Sequence, residues 1–307
     1  MHSINPQKLS EPILAHPRFR EAQRAYIDAF TGYYLADPFL IRHLIDAGSL
    51  TLGTLLVGFH AAHDERDRTT WATPGRLQEL FAGSGLASPR RLDDLISRFR
   101  HAGLTETVQS PSDGRVRLIK PTGRLVACDR AYEAALHRPL HMLDPNAGYG
   151  AVLRHDPQVH LAIRRAGVLM RPAMPAYLAR SVTMMFFFAR HGGYLALLMV
   201  MRSLLADRVG DETTSYAALA QRLGVSRSHV RKLFVDAATA GFVALSPEGG
   251  RVTAIERPLQ TAFDRFVADI TASRAAIAQA AFAALAASNR SDRHRALPTG
   301  FAEGASR

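Results

Sequence analysis

The chain has 307 residues, 47% of them apolar and 21% charged, a balance that suits a soluble globular protein with room for two domains. Lysine and arginine number 38 against 27 acidic residues, and the net charge of +11 points either to a solvated surface or to a polyanion partner. The single cysteine, Cys128, excludes an internal disulfide and fits a reducing, cytoplasmic setting; in Val126-Ala-Cys-Asp-Arg130 it reads as a buried structural residue.

Residues 1–19 read as an N-terminal arm. Met1 to Pro17 is polar, carries three prolines and has no apolar core, so no secretory leader is expected. Helices follow over about 20–47 and 50–64. Gly83-Ser-Gly85 lacks the following lysine of a phosphate loop and reads as a turn. Ser88-Pro-Arg-Arg-Leu92 then opens another helix, with proline at its first turn. Asp113-Gly114 marks a tight hairpin, where a positive φ is needed. A long helix over 121–137 closes a first unit at 20–138.

Residues 139–174, with Pro139, Pro145, Pro157 and Pro172, read as a connector holding one short helix near 156–167. A second unit is expected over 175–287. Its opening helices, about 175–191 and 193–207, are separated at Arg190-His-Gly-Gly193. That break divides the apolar run Val182–Met201 into pieces too short for the roughly 20 residues of a membrane span. Two short helices joined at Gly224-Val225-Ser226 follow, then a hairpin turning at Gly249-Gly250, then a long helix over 257–287. Residues 288–307 are polar and rich in small side chains, and a disordered tail is expected there.

The two units align block by block. Ser88 to Ile96 corresponds to Ser226 to Phe234, and Ala102-Gly103-Leu104 to Ala240-Gly241-Phe242. Gln109 to Val116 matches Leu245 to Val252, and Ala127-Cys-Asp-Arg130 matches Ala262-Phe-Asp-Arg265. Four blocks in the same order argue for a duplication. Each unit has helices, a helix–turn–helix and a two-stranded hairpin, which make a winged helix. The expected fold is therefore mainly α with small β-hairpin wings: tandem winged helix–turn–helix domains with flanking helices.

The second unit carries the chemistry. On the helix from Arg227 to Ala240, Val230, Leu233, Phe234 and Ala237 follow the spacing of a buried face. Ser226 is placed to cap it. Arg227, Ser228, Arg231 and Lys232 remain on the other side, with His229 beside them. A helix of this width fits the major groove, N-terminal residues first, and arginine matches guanine O6 and N7 together. Arg227, Ser228 and Arg231 are the candidate base readers. Lys232 and the helix N-terminus suit phosphate, and Arg251 would reach phosphate or the minor groove from the wing. In the first unit Asp93 and Asp94 align with Arg231 and Lys232 and would repel phosphate. That unit is expected to touch only backbone, through Arg90, Arg91, Arg115 and Arg117, or to be structural.

Leu219-Ala220, Leu223-Gly224-Val225-Ser226-Arg227, Val230, Leu233 and Ala240-Gly241-Phe242 resemble the pattern of MarR-type and GntR-type bacterial regulators. Helices on both sides of the winged helix make the resemblance closer to MarR. It covers 213–256 well and 72–120 loosely. The resemblance implies a transcriptional regulator without a cofactor, a dimer of winged helices on an inverted-repeat operator, and small aromatic effectors bound between helices. Those proteins carry one unit per chain and this chain has two, so one chain would mimic a dimer, alone or within a homodimer. The alternatives are a plasmid-type replication initiator with tandem winged helices and an interaction scaffold that does not touch DNA.

Other sites are weaker. His60 and His63 with Asp64 and Glu65, and His137 with His141, have helical spacing for a metal but no supporting cysteines or His-Glu-x-x-His pattern, and read as exposed histidines. Met184-Met-Phe-Phe-Phe188 reads as core, with a ligand pocket as the sharper option. No nucleophile or acid–base pair is set up, so no enzyme is expected.

Overall fold

The structure is a computed structural model that describes residues 6–170, 181–206 and 214–295. It is mainly helical with two small antiparallel hairpins. The first half runs α1 (Pro6–Leu14), α2 (Phe19–Leu35), α3 (Pro38–Leu44), α4 (Ala47–Ala62), α5 (Pro74–Phe81), α6 (Pro89–His101), β1 (Thr105–Gln109), β2 (Arg117–Pro121) and α7 (Gly123–Leu143). After α8 (Gly150–Leu153) come α9 (Pro157–Leu169), α10 (Val182–Phe188), α11 (Gly193–Leu205), α12 (Tyr216–Leu223), α13 (Arg227–Thr239), β3 (Val243–Leu245), β4 (Val252–Ile255) and α14 (Arg257–Arg295). Among the described residues the α-helices and strands from α2 to α7 follow the same order as those from α9 to α14.

Several boundaries differ from the sequence expectation. The helix expected over 20–47 is divided, because Pro38 disfavours helical backbone at Asp37, whose carboxylate instead caps α3 through the Phe39 N–H. The N-terminal arm holds α1, which packs along α14, with Glu11 bridging Arg265 at 2.7 Å. Pro139 does not end α7, which continues to Leu143. The last helix continues to Arg295, so the tail expected from 288 starts as helix. Positions 1–5, 171–180, 207–213 and 296–307, including the start of the helix expected at 175 and most of the expected tail, lie outside the described residues.

The expected connector is largely structure. Helix α9 packs on α14 of its own unit and on α4 of the other, as α2 packs on α7 of its own unit and on α11 of the other. It is therefore the counterpart of α2. This exchange merges the two cores that the chain length suggested. One cluster of buried apolar residues runs from Phe19 and Tyr26 through Leu56 and Phe99 to Phe187, Phe234 and Phe263. The Tyr26 and Tyr194 hydroxyls meet at 2.7 Å inside it.

The bend between α3 and α4 is 95° and that between α10 and α11 is 107°. The second bend depends on glycine. Gly192 has φ +68°, and a Cβ on Gly193 would sit 2.5 Å from the Phe187 carbonyl oxygen. Gly193→Ala is expected to lower stability by about 1–3 kcal/mol, since backbone must move to admit the methyl group; denaturant unfolding measures it.

The bend keeps Val182–Met201 from being one continuous span. Among the described residues, Arg257–Ser288 of α14 is the one unbent stretch long and apolar enough to cross a membrane. Its apolar side, with Leu259, Phe263, Phe266, Val267 and Ile270, is buried in the chain's own core.

Candidate nucleic-acid interface

Helices α12 and α13 are built as their sequence dictates. Ser215 caps α12 by accepting the Ala218 N–H. Gly224 ends it in the left-handed region at φ +66°, a conformation that costs glycine nothing. Ser226 caps α13 by accepting the His229 N–H at 3.1 Å. Val230, Leu233, Phe234 and Ala237 are all buried, and Phe234 stacks on Tyr216 with rings 6.0 Å apart. The opposite face is left to solvent.

On that face Ser226, Arg227, Ser228, Arg231 and Lys232 are exposed. Lys232 has 77% of its side chain accessible while pairing with Asp236 at 3.2 Å. His229 departs from the expectation. It is half-buried, and its Nε2 donates to the His191 carbonyl at 2.9 Å. Its ring thus fastens α13 to the turn before α11. Arg251 is also half-buried and lies at the end of the hairpin loop, next to Val252, which pairs with Leu245. The loop tip is Pro247 to Gly250, with Gly249 and Gly250 at φ +70° and +86°.

The first unit repeats this geometry with different charges. Ser88 caps α6 through the Arg91 N–H, and Leu92, Leu95 and Phe99 are buried. Arg90, Arg91, Asp93 and Asp94 are exposed, and Asp93 accepts from Gln78 at 3.2 Å. Arg115 and Arg117 are exposed on the first hairpin. Its turn is not the tight one expected. Strand pairing ends at Gln109 and Arg117, and Gly114 does not take a positive φ. Asp113 instead organises a longer loop, accepting the Arg115 N–H and pairing with Arg68 at 2.7 Å.

The sequence did not reveal how each helix is seated. Asp46, the cap of α4, lies 3.8 Å from Arg91 and 3.5 Å from Arg98 on α6. In the second unit Arg190, before α11, lies 3.6 Å from Asp236 on α13. Arg98 and Asp236 occupy equivalent positions, ten residues after Ser88 and Ser226. The same seat is thus held by ion pairs of opposite polarity. Arg91 and His229 are likewise equivalent, and each fastens its helix to the turn before its own unit's α4 or α11. The alignment contained that correspondence, but it did not identify the partners.

The two turns also touch each other. His191 Nδ1 is 3.9 Å from the Asp46 carboxylate, and a Cβ on Gly192 would be 3.2 Å from Ile45. Partial burial holds the His191 ring below the ordinary histidine pKa despite the pull of Asp46, so it is neutral at pH 7.

Behind the turns lies a cavity of about 80 Å³ walled by Tyr26, Tyr34, Phe187, Phe188, Tyr194 and Arg190, among others. Met184 and Phe187 are buried, as a core reading requires, and Phe187 and Phe188 both line the cavity.

The discounted sites resolve differently. His60 and His63 are exposed, and no group of three or more potential metal ligands occurs among the described residues. His137 is not the exposed histidine expected. It is fully buried beside Glu133, whose carboxylate also meets Arg164 at 2.6 Å and Arg274 at 2.8 Å. Cys128 is half-buried, and burial raises its thiol pKa, which keeps it protonated and unreactive. No family model, curated protein or solved structure gives a significant match to this chain.

Proposed function

We propose that the chain is a sequence-reading, double-stranded-DNA-binding transcriptional regulator of the cytoplasm, built from two winged helix–turn–helix units. Arg227, Ser228 and Arg231 would address bases, and Lys232 and Arg251 phosphates. The observation that carries this reading is the free cationic face of α13, opposite a fully buried apolar face. The hairpin after each helix pair, and the +11 net charge, support it.

In this reading the first unit adds backbone contacts through Arg90, Arg115 and Arg117, and Arg91 is divided between Asp46 and phosphate. A small aromatic effector would occupy the cavity behind the turns. At about 80 Å³ that cavity is roughly half the 150 Å³ known to admit benzene, so binding would spread its walls. Those walls include Ile45 and Arg190 of the two seating turns. An effector that binds the spread form better would therefore shift the helices and alter DNA affinity.

Salt dependence tests the reading. With Arg227, Arg231, Lys232 and Arg251 each neutralising one phosphate, the slope of log K against log salt is expected to be about −3 to −4 for the second unit's contacts. Titration of the full chain with duplex DNA between low and physiological salt is expected to give a slope at least that steep, because the first unit's contacts add to it. A flat response, or no complex at low salt, favours an interaction scaffold instead.

A further inference from the structure

Resting on that reading, we infer that α6 and α13 address one short, contiguous, asymmetric stretch of duplex rather than two half-sites a helical turn apart. The argument is the continuity of seating around the two touching turns. Arg91, the third residue of α6, lies 3.8 Å from Asp46, and Asp46 lies 3.9 Å from the His191 ring. The carbonyl of that same His191 accepts from His229, the third residue of α13, at 2.9 Å. The N-terminal turns of the two helices thus border a single histidine.

Helix–turn–helix dimers place their reading helices in successive major grooves, about 34 Å apart, because each helix enters groove with its N-terminal end. Two N-terminal turns joined through Asp46 and His191 cannot span that distance. They fit adjacent parts of one groove and its phosphate walls. The link is also braced from behind, since Arg98 adds a second bond to Asp46 at 3.5 Å and Arg190 holds Asp236 at 3.6 Å. Each reading helix is thus fixed to its own turn, and the two turns meet at Asp46 and His191 and where Gly192 packs on Ile45.

The two ends differ in what they offer. The second unit presents Arg227, Arg231 and Lys232, and the first presents Arg90 beside Asp93 and Asp94. A symmetric inverted repeat would place phosphates equally against both, although only one end is wholly cationic. The matching partner is an asymmetric duplex segment of roughly one turn, about 10–12 base pairs. Its strong contacts lie at one end and its weak contacts at the other. A rigid pair of this kind gains specificity from register rather than from symmetry, because a shift of either helix along the groove shifts the other by the same amount.

Two measurements on the full chain test this. In the first, spin labels are placed at Arg90→Cys and Ser228→Cys in a Cys128→Ser background, and their separation is measured without DNA. A single distribution clearly below the roughly 34 Å of one duplex turn is expected, and one at or beyond it overturns the geometry. In the second, duplexes selected from random sequence are shortened stepwise at fixed salt. Affinity is expected to hold within threefold down to about 12 base pairs, with interfering substitutions in a single block. Two interfering blocks about 10 base pairs apart, with affinity lost below about 20, overturn the inference while the DNA-binding reading stands. A short spin-label distance with no duplex selected at all removes that reading, and this inference with it.

Discussion

Arg231→Asp is expected to weaken duplex binding by at least about 100-fold, while Asp93→Ala leaves affinity unchanged or improves it. A good arginine–guanine pair contributes about 1–3 kcal/mol of discrimination. Reversal of the charge adds repulsion from nearby phosphates to that loss, and each 1.4 kcal/mol is tenfold in Kd. The fold should not suffer. Arg231 is exposed on the face of α13 opposite Val230, Leu233 and Phe234. The equivalent position on α6 is already aspartate, Asp93, in a helix of the same length and cap. The protein therefore contains its own control for tolerance of an acid there. Removal of Asp93 deletes a repulsive charge and one 3.2 Å hydrogen bond to Gln78. Fluorescence anisotropy at constant salt, with circular dichroism to confirm folding, separates the two. Equal losses from both substitutions would mean that the units read DNA symmetrically, and the assignment of base reading to α13 would fall.

What the sequence made legible was what local chemistry decides. The extent of α13, its Ser226 cap, the Gly224 turn and the four buried positions all follow from spacing and capping within a single helix pair. So does the Gly249-Gly250 turn, where a positive φ selects glycine. At Asp113-Gly114 the same reasoning fails, because Arg68, 45 positions earlier, holds Asp113 in a wider loop. The His229 contact was hidden for the same reason: its acceptor is a backbone carbonyl 38 positions earlier, and nothing in a helical repeat announces that. The short helix expected near 156–167 is found as α9, which Pro157 opens after the Asp156 cap, whereas Pro139, placed in the connector by sequence, is accommodated inside α7. Asp129, Glu133 and His137 lie at i, i+4 and i+8 on α7, and His160 and Arg164 at i and i+4 on α9. Matching polar residues at helical spacing on the two helices are what a shared buried network requires.

That network gives the second large expected effect. Glu133→Gln should lower stability by about 3–5 kcal/mol, the usual consequence of removing one partner from a buried ion pair. Glu133 has no accessible side-chain surface, Arg164 only 5% and Arg274 9%. Arg164 also forks onto Asp129 with two bonds of 2.6 Å, while His160 approaches Asp129 at 2.7 Å. Glutamine keeps the shape but removes the charge shared by both guanidiniums. Burial alone would raise the Glu133 pKa, yet Arg164, Arg274 and His137 together hold it well below the ordinary carboxylate value. The sign of the pH dependence follows. A folded pKa depressed below the unfolded value, about 4.3 for glutamate, gives stability that is complete above it and is lost as pH falls toward the folded value. Wild-type protein should therefore weaken more steeply than the glutamine variant on acidification below about pH 5. Denaturant unfolding at several pH values measures both effects, and a Glu133→Gln loss under about 1 kcal/mol would show that the cluster is not charged as described. Replacement of Asp129, Glu133, Arg164 and Arg274 together by leucine, which leaves neither carboxylate without its guanidinium, should recover much of the stability, because the cost lies in stranding charge rather than in lacking it. The readout that such a core would not preserve is register. Glu133 on α7 closes the first unit, Arg164 on α9 crosses between units, and Arg274 on α14 closes the second. An apolar variant of this kind that is stable but shows a broadened α6–α13 distance would assign these charges to fixing the relation of α6 to α13 rather than to stability alone.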